Sequence, residues 1–191
     1  MTLTTTPPTT LSELSGTYTI DPSHTRIGFV ARHAMVTKVR GAFNEFEGSA
    51  TVDVNDATRS RVSLAIQAAS IDTRNGQRDA HLRSNDFFDM ETHPEISFVS
   101  TDVHAIDGNY RVTGDLTIKG VTKPVVVDFE YTGTAIDPYG NTRVGFEGQT
   151  TINRKDWGVN WNAALEAGGV LVSEKVTLEF EISAIRTGDA A

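Results

Sequence analysis

Residues 112–131 read VTGDLTIKGVTKPVVVDFEY. On either side of the Lys119-Gly120-Val121-Thr122 punctuation, small or apolar residues recur at every second position: Val112, Gly114, Leu116 and Ile118 before it, Val125, Val127, Phe129 and Tyr131 after it. In the second run Val126, Asp128 and Glu130 hold the opposite parity. Side chains of a strand alternate between two faces, so the stretch writes two strands, each with one apolar face, joined at hairpin length. The same grammar continues outward. Toward the C-terminus it gives Val144, Phe146, Gly148, Thr150 and Ile152, then Val176, Leu178, Phe180 and Ile182 against Lys175, Thr177, Glu179 and Glu181. Toward the N-terminus it gives Ile96 and Phe98, then Val62, Leu64, Ile66 and Ala68, then Ile27, Phe29 and Ala31. Helical periodicity is scarce between Tyr18 and Arg186, so the fold class is all-β, an antiparallel sandwich or barrel.

The connections agree. Asp107-Gly108-Asn109 and Asp137-Pro138-Tyr139-Gly140-Asn141 have the composition of tight turns, which makes these strands neighbours by meander. Between Val39 and Val54 the apolar phase slips from Val39, Gly41 and Phe43 to Phe46, Ala50, Val52 and Val54, and a bulge near Glu45 is expected there. Two stretches break the alternation: GQRDAHLRSNDFF (76–88) and RKDWGVNWNAALEAGG (154–169). They read as short helices, caps or loops, and function carried on loops belongs near them. The Thr/Pro-rich head makes 1–16 a flexible lead-in and 17–191 the folded domain.

Composition narrows the function. The chain has 191 residues, enough for one domain with a sizeable core. Its 17 Lys and Arg against 25 Asp and Glu leave a net charge of -8, which argues against a nucleic-acid partner. With no Cys there is no disulfide, thiolate nucleophile or iron–sulfur ligand set. The opening MTLTTTPPTTLSELSG lacks the basic and apolar regions of a secretory signal, so a cytoplasmic location is expected. Apolar runs such as Val125 to Val127 stop at three residues, against about 18 for a membrane helix, so no stable membrane insertion is expected.

Chemistry is sparse. There is no GxSxG, Walker, GxGxxG or HExxH motif. The histidines at 24, 33, 81, 93 and 104 show no HxH or HxxxH spacing, so no metal site is assigned. Asp21-Pro22-Ser23-His24 holds the residue types of a triad at the spacing of a turn, and turn is the reading. His33 ends an apolar run and is placed at a cavity mouth, as a hydrogen-bonded structural residue or a ligand contact. Arg78, His81 and Arg83 lie in a stretch of alternating charge that reads either as a solvated turn or as a clamp for an anionic headgroup. Trp157 and Trp161, four apart, share one side if the segment is helical, forming a lid over an apolar ligand or a plug in the core.

These signals in order resemble the YceI-like polyisoprenoid-binding family. The likeness rests on YTIDPSHTRIGFVARH (18–33), KVRGAFNEFEG (38–48), IDTRNGQRDAHLRSNDFFD (71–89), HPEISFVST (93–101), GDLTIKGVTKPVVV (114–127) and GFEGQTTINRKDWG (145–158). It implies an eight-stranded antiparallel lipocalin-like β-barrel with one or two short helices. An elongated apolar channel would hold an isoprenoid or similar long-chain amphiphile, often in a homodimer. Many members carry a secretory signal that this sequence does not show. On this expectation the channel is lined by Phe29, His33, Phe43, Leu64, Phe87, Phe88, Phe98, Leu116, Phe146, Trp157 and Trp161, with Arg78, His81 and Arg83 toward a headgroup. No cofactor is implied beyond the bound lipid. The function implied is binding, storage or transport without catalysis, the alternative being an enzyme or accessory subunit of isoprenoid or quinone metabolism using His33 or His81. The glycines at 28, 41, 114, 145 and 148 would make either a bend or room for a tail.

Overall fold

The structure, a computed structural model, describes residues 14–189. Most of the expected lead-in, 1–13, lies outside the described residues. Within the described residues Leu14 is buried, and the first strand starts at Gly16. The described strands are β1 (Gly16–Ile20), β2 (Arg26–His33), β3 (Thr37–Phe43), β4 (Phe46–Val52), β5 (Arg61–Gln67), β6 (Ile71–Asp72), β7 (Glu95–Ile106), β8 (Asn109–Ile118), β9 (Val121–Ile136), β10 (Thr142–Asn153) and β11 (Lys175–Gly188). One α-helix, α1 (Gly76–Arg83), stands between β6 and β7.

Six of these segments are halves of longer strands. β2 pairs with the N-terminal half of β11 and β1 with its C-terminal half, while β3 and β4 pair with β2 and β1 in turn. β5 and β6 extend the series against β4 and β3. Counted as continuous strands there are eight, each antiparallel to its chain neighbour from β5 through β7, β8, β9 and β10 to β11. The ladders of β1 and β2 with β11 join the last strand to the first. The fold is therefore a closed eight-stranded antiparallel barrel with one helix.

Closure needs bends, and they are concentrated. β1/β2 breaks at a 3-10 turn over Pro22–His24, β3/β4 at Asn44 and Glu45, and β5/β6 at a 3-10 turn over Ala68–Ser70. Adjacent breaks are stitched together: Asn44 N donates to Ser70 O (3.2 Å) and Gln67 N to Glu45 O (2.9 Å). The phase slip near Glu45 is thus a corner shared by neighbouring strands rather than a bulge in one. One-residue register shifts do occur elsewhere, leaving Thr101, Thr132 and Thr187 unopposed.

The corner at Asp21 settles the DPSH segment as a turn. The Asp21 carboxylate accepts from Ser23 N (3.0 Å), His24 Nδ1 (2.7 Å) and Arg143 Nη1 (2.6 Å). Arg143 on β10 reaches the other way to Asp137 (2.8 Å), which also takes the amides of Tyr139 and Asn141 in the β9–β10 hairpin. Hydrogen bonds from Arg143 and His24 hold the Asp21 carboxyl well below the usual carboxylate range, and those from Asn141 and Arg143 do the same for Asp137. A carboxyl depressed in the folded state contributes stability that is complete above its unfolded pKa of about 3.9 and is lost as pH falls from there through its lower folded value. Arg143→Met is accordingly expected to lower Tm clearly at pH 7 and still clearly at pH 4, the penalty fading only toward about pH 2 and below. Thermal unfolding across this range checks this, and a penalty already gone at pH 4 would count against it.

Candidate ligand channel

The strand parities send their apolar faces to one interior. Along β8, Tyr110, Val112, Gly114, Leu116 and Ile118 are buried while Arg111 and Asp115 face out. This interior is not filled. It encloses a cavity of about 270 Å³, close to the lower end of ordinary small-molecule sites. Leu82, Phe87, Phe88, Val159 and Val172 line one end, Ile27, Phe98, Leu116 and Phe180 the middle, and Leu14, Tyr18, Val103 and Val144 the other end. On β8 alone the lining runs from Tyr110 to Ile118, eight steps of strand or roughly 26 Å. Allowing for the tilt of barrel strands, the channel is on the order of 20 Å long.

The wall presents almost no polar chemistry. Tyr18 donates its hydroxyl to Leu14 O (2.8 Å), and Ser60 Oγ accepts from Asp53 N (2.9 Å). The Arg154 guanidinium is spent on backbone carbonyls. Burial pushes the Tyr18 and Tyr110 phenols up, so both stay neutral. Among the described residues no fully buried side-chain nitrogen or oxygen lacks a partner. A guest in this channel finds carbon surface and shape, with the Tyr110 hydroxyl as a polar group that has no hydrogen-bond partner among the described residues.

The interior glycines seat rings. A Cβ at Gly41 would overlap the Phe29 ring, and one at Gly114 would overlap the Phe98 ring and lie 2.7 Å from Val99 O. Phe29 and Phe98 therefore lie flat across the neighbouring strand and form part of the lining, so these glycines make the channel narrow rather than wide. Phe29 in turn packs on Phe43 (centroids 5.8 Å), and Phe43 meets the edge of Phe88 (5.9 Å).

Of the residues expected in the channel, Phe29, Phe43, Leu64, Phe87, Phe88, Phe98, Leu116 and Phe146 line it. Three do not. His33 shares the inward parity of Ile27, Phe29 and Ala31, but the β2–β3 hairpin outruns the barrel wall and leaves it exposed. Trp157 is buried in the packed wall, its Nε1 donating to Leu116 O (2.8 Å), which makes it a plug. Trp161 does not share a helix with it, because the 3-10 turn over Arg154–Trp157 ends at Gly158, whose φ is +76°. It packs outside the lining against the rings of His81 (4.6 Å) and Phe87 (5.3 Å).

The RDAHLRS stretch is a fastening. Asn75 caps α1, accepting from Arg78 N (3.0 Å), and buried Asp79 accepts from Thr73 N (2.9 Å). Arg78 binds Thr73 Oγ1 and O (2.7 and 2.8 Å), Arg83 binds the carbonyls of Ala69 and Ile71 (2.8 and 3.1 Å), and His81 Nε2 pairs with Asp86 (2.7 Å). The Arg83 guanidinium thus bonds carbonyls where β5 breaks into β6, Arg78 binds Thr73 just past β6, and together they hold the helix against the barrel. Of the residues expected toward a headgroup, Arg78 and Arg83 are therefore bonded within the chain through Nε and Nη2. The reading from sequence missed Leu82, Val159 and Val172 at this end and Tyr18, Val103 and Tyr110 at the other. It also missed Arg154, which alternation could not reveal because it sits in a loop.

A family model described as YceI-like domain matches residues 18–184. The chain belongs to the YceI-like family. Among relatives, it is 40% identical over 168 residues to a UPF0312 protein of Staphylococcus epidermidis, covering 87% of this chain and 95% of that one. Solved structures share the YceI-like fold. BcnA of Burkholderia cenocepacia superposes with a TM-score of 0.75 at 24% identity, over 86% of this chain and 98% of that one. A polyisoprenoid binding domain from Saccharophagus degradans, implicated in plant cell wall breakdown, gives a TM-score of 0.66 at 14% identity, over 89% and 98%. Among the described residues no helix of this YceI-like protein is long and apolar enough to cross a membrane.

Proposed function

We propose that this YceI-like protein binds a polyisoprenoid or another long-chain amphiphilic lipid in its barrel, without catalysis, as a store or carrier. The observation that supports this is the channel: long, narrow, carbon-walled, with few polar atoms in its lining. A hydrocarbon tail gains about 0.8 kcal/mol for each CH2 it buries, so a few isoprene units offset much of the cost of association. Selectivity then follows length and girth, and headgroups are tolerated. The Saccharophagus domain of the same fold binds polyisoprenoid by its description, but at 14% identity that likeness speaks for the fold, and the ligand class rests on the lining.

Acid–base catalysis by His33 or His81 fits less well. His33 is exposed beyond the barrel wall, and His81 is held by Asp86 and packs edge-on against the rings of Phe87 and Trp161. Native mass spectrometry before and after organic extraction is expected to show a bound long-chain lipid that extraction removes, and its subunit count reads the homodimer directly. Empty extracts together with no uptake of a fluorescent prenyl probe would overturn the proposal.

A further inference from the structure

The β2–β3 hairpin carries an unusual turn. Ala34 and Met35 both sit at positive φ (50° and 63°), a conformation that two-residue hairpins normally give to Asn and Gly. The turn is closed by Val36 N donating to His33 O (3.0 Å). This strained backbone presents Met35 and Val36 to solvent, 65% and 74% exposed, with Val170 of the neighbouring loop beside them at 36%. The two tips are tied together by Ala34 N to Leu171 O (2.8 Å), by the bridge between His33 and Val172, and by Met35 lying over Gly169.

The charge around the tip is as uneven. In a chain of net charge -8, residues 26–43 hold four Lys and Arg and no Asp or Glu, while the neighbouring loop carries the exposed carboxylate of Glu166. Arg26 and Arg40 are spent on Glu179. Arg32 and Lys38 face each other across the ladder, both exposed, and neither has an ion-pair partner among the described residues. Like charges directly opposed cost stability in a sheet; Arg32 Nη1 does donate to Val36 O across the turn, in a long bond of 3.3 Å, and the Lys38 ammonium has no hydrogen-bond partner among the described residues. Apolar side chains on a convex tip with a cationic collar are the chemistry of a peripheral contact with an anionic bilayer.

We propose that this end of the barrel docks on an anionic lipid bilayer, with Met35, Val36 and Val170 entering the headgroup layer and Arg32 and Lys38 pairing with lipid phosphates. Ala31 and Val172, the nearest inward residues, line the channel, so docking sets the channel wall against the membrane from which a water-insoluble ligand must come or to which it must go. Only this purpose rests on the proposed lipid ligand; the docking itself does not.

Sedimentation with vesicles of equal parts phosphatidylglycerol and phosphatidylcholine tests it. The wild-type protein is expected to pellet with them and to stay in solution with phosphatidylcholine alone. Met35→Ser/Val36→Ser and Arg32→Gln/Lys38→Gln are each expected to weaken the association about tenfold. All of these side chains lie outside the channel, so uptake of a soluble fluorescent prenyl probe by the delipidated variants is expected to match wild type. Wild-type protein that takes up probe but ignores the vesicles would overturn docking and leave the channel reading intact; vesicle binding without probe uptake would do the reverse. Equal pelleting of wild type and variants would also overturn it, as would self-association lost in the Met35/Val36 variant without vesicle binding, which would make the tip a contact between copies.

Discussion

Arg154→Ala is expected to lower the unfolding free energy by about 3–5 kcal/mol, one of the two largest single-site effects this structure implies. The side chain is 6% exposed, and its guanidinium donates to four backbone carbonyls: Ser173 (2.8 Å), Val159 (2.7 Å), Trp161 (2.9 Å) and Val172 (3.3 Å). These four belong to a loop that has little regular structure of its own to pair them. Burial lowers the guanidinium pKa, yet arginine remains charged at neutral pH, so each bond is charge-assisted. Alanine leaves the Ser173, Val159 and Trp161 carbonyls without this donor, while Val172 O keeps Asn162 Nδ2 (2.7 Å). Lysine should rescue poorly, because an ammonium has three donors and cannot span the fork. Val159 and Val172 from this loop also close one end of the channel, so ligand retention is expected to fall with stability. Urea denaturation of both variants measures the effect, and a loss under about 1 kcal/mol for alanine would show that something else holds the loop.

That arginine also marks the limit of what the sequence discloses. Alternation reports which face a side chain takes, and it does so well where strands are long: of the inward set read along 112–131, Val112, Gly114, Leu116, Ile118, Val125 and Val127 are buried, and Phe129 and Tyr131 half-buried. Alternation is the same in a sandwich and in a barrel. The distinction lies in the ladders between β11 and β1 or β2, contacts such as Arg26 with Glu179 that are 153 residues apart, and no local pattern carries them. Parity likewise cannot say where a wall ends, which is why His33 reads as inward and stands outside. The spacing of Trp157 and Trp161 is informative only on a helix, and Gly158 ends the turn between them. A loop arginine looks solvated until the carbonyls it gathers are seen. The corner at Glu45 left a trace because a break shifts parity, whereas the corner at Ala68–Ser70 left none, since Ala68 stays in phase with Val62, Leu64 and Ile66.

Filling the channel should do the opposite of what filling a protein core does. Leu64→Trp/Val112→Phe adds aromatic volume at two positions of the lining. In a close-packed interior such additions force strained rotamers and cost about 1–3 kcal/mol. Here they enter space that no protein atom occupies, so the delipidated double variant is expected to keep or raise its Tm. The new rings take the place of a tail. Displacing about four CH2 groups at about 0.8 kcal/mol each forfeits roughly 3 kcal/mol, which is a loss of about two orders of magnitude in affinity for a prenyl probe. Stability and binding therefore move in opposite directions only if the barrel is hollow when empty. A double variant that unfolds more easily and still binds the probe would mean that the interior is packed and that the lipid, if any, sits elsewhere.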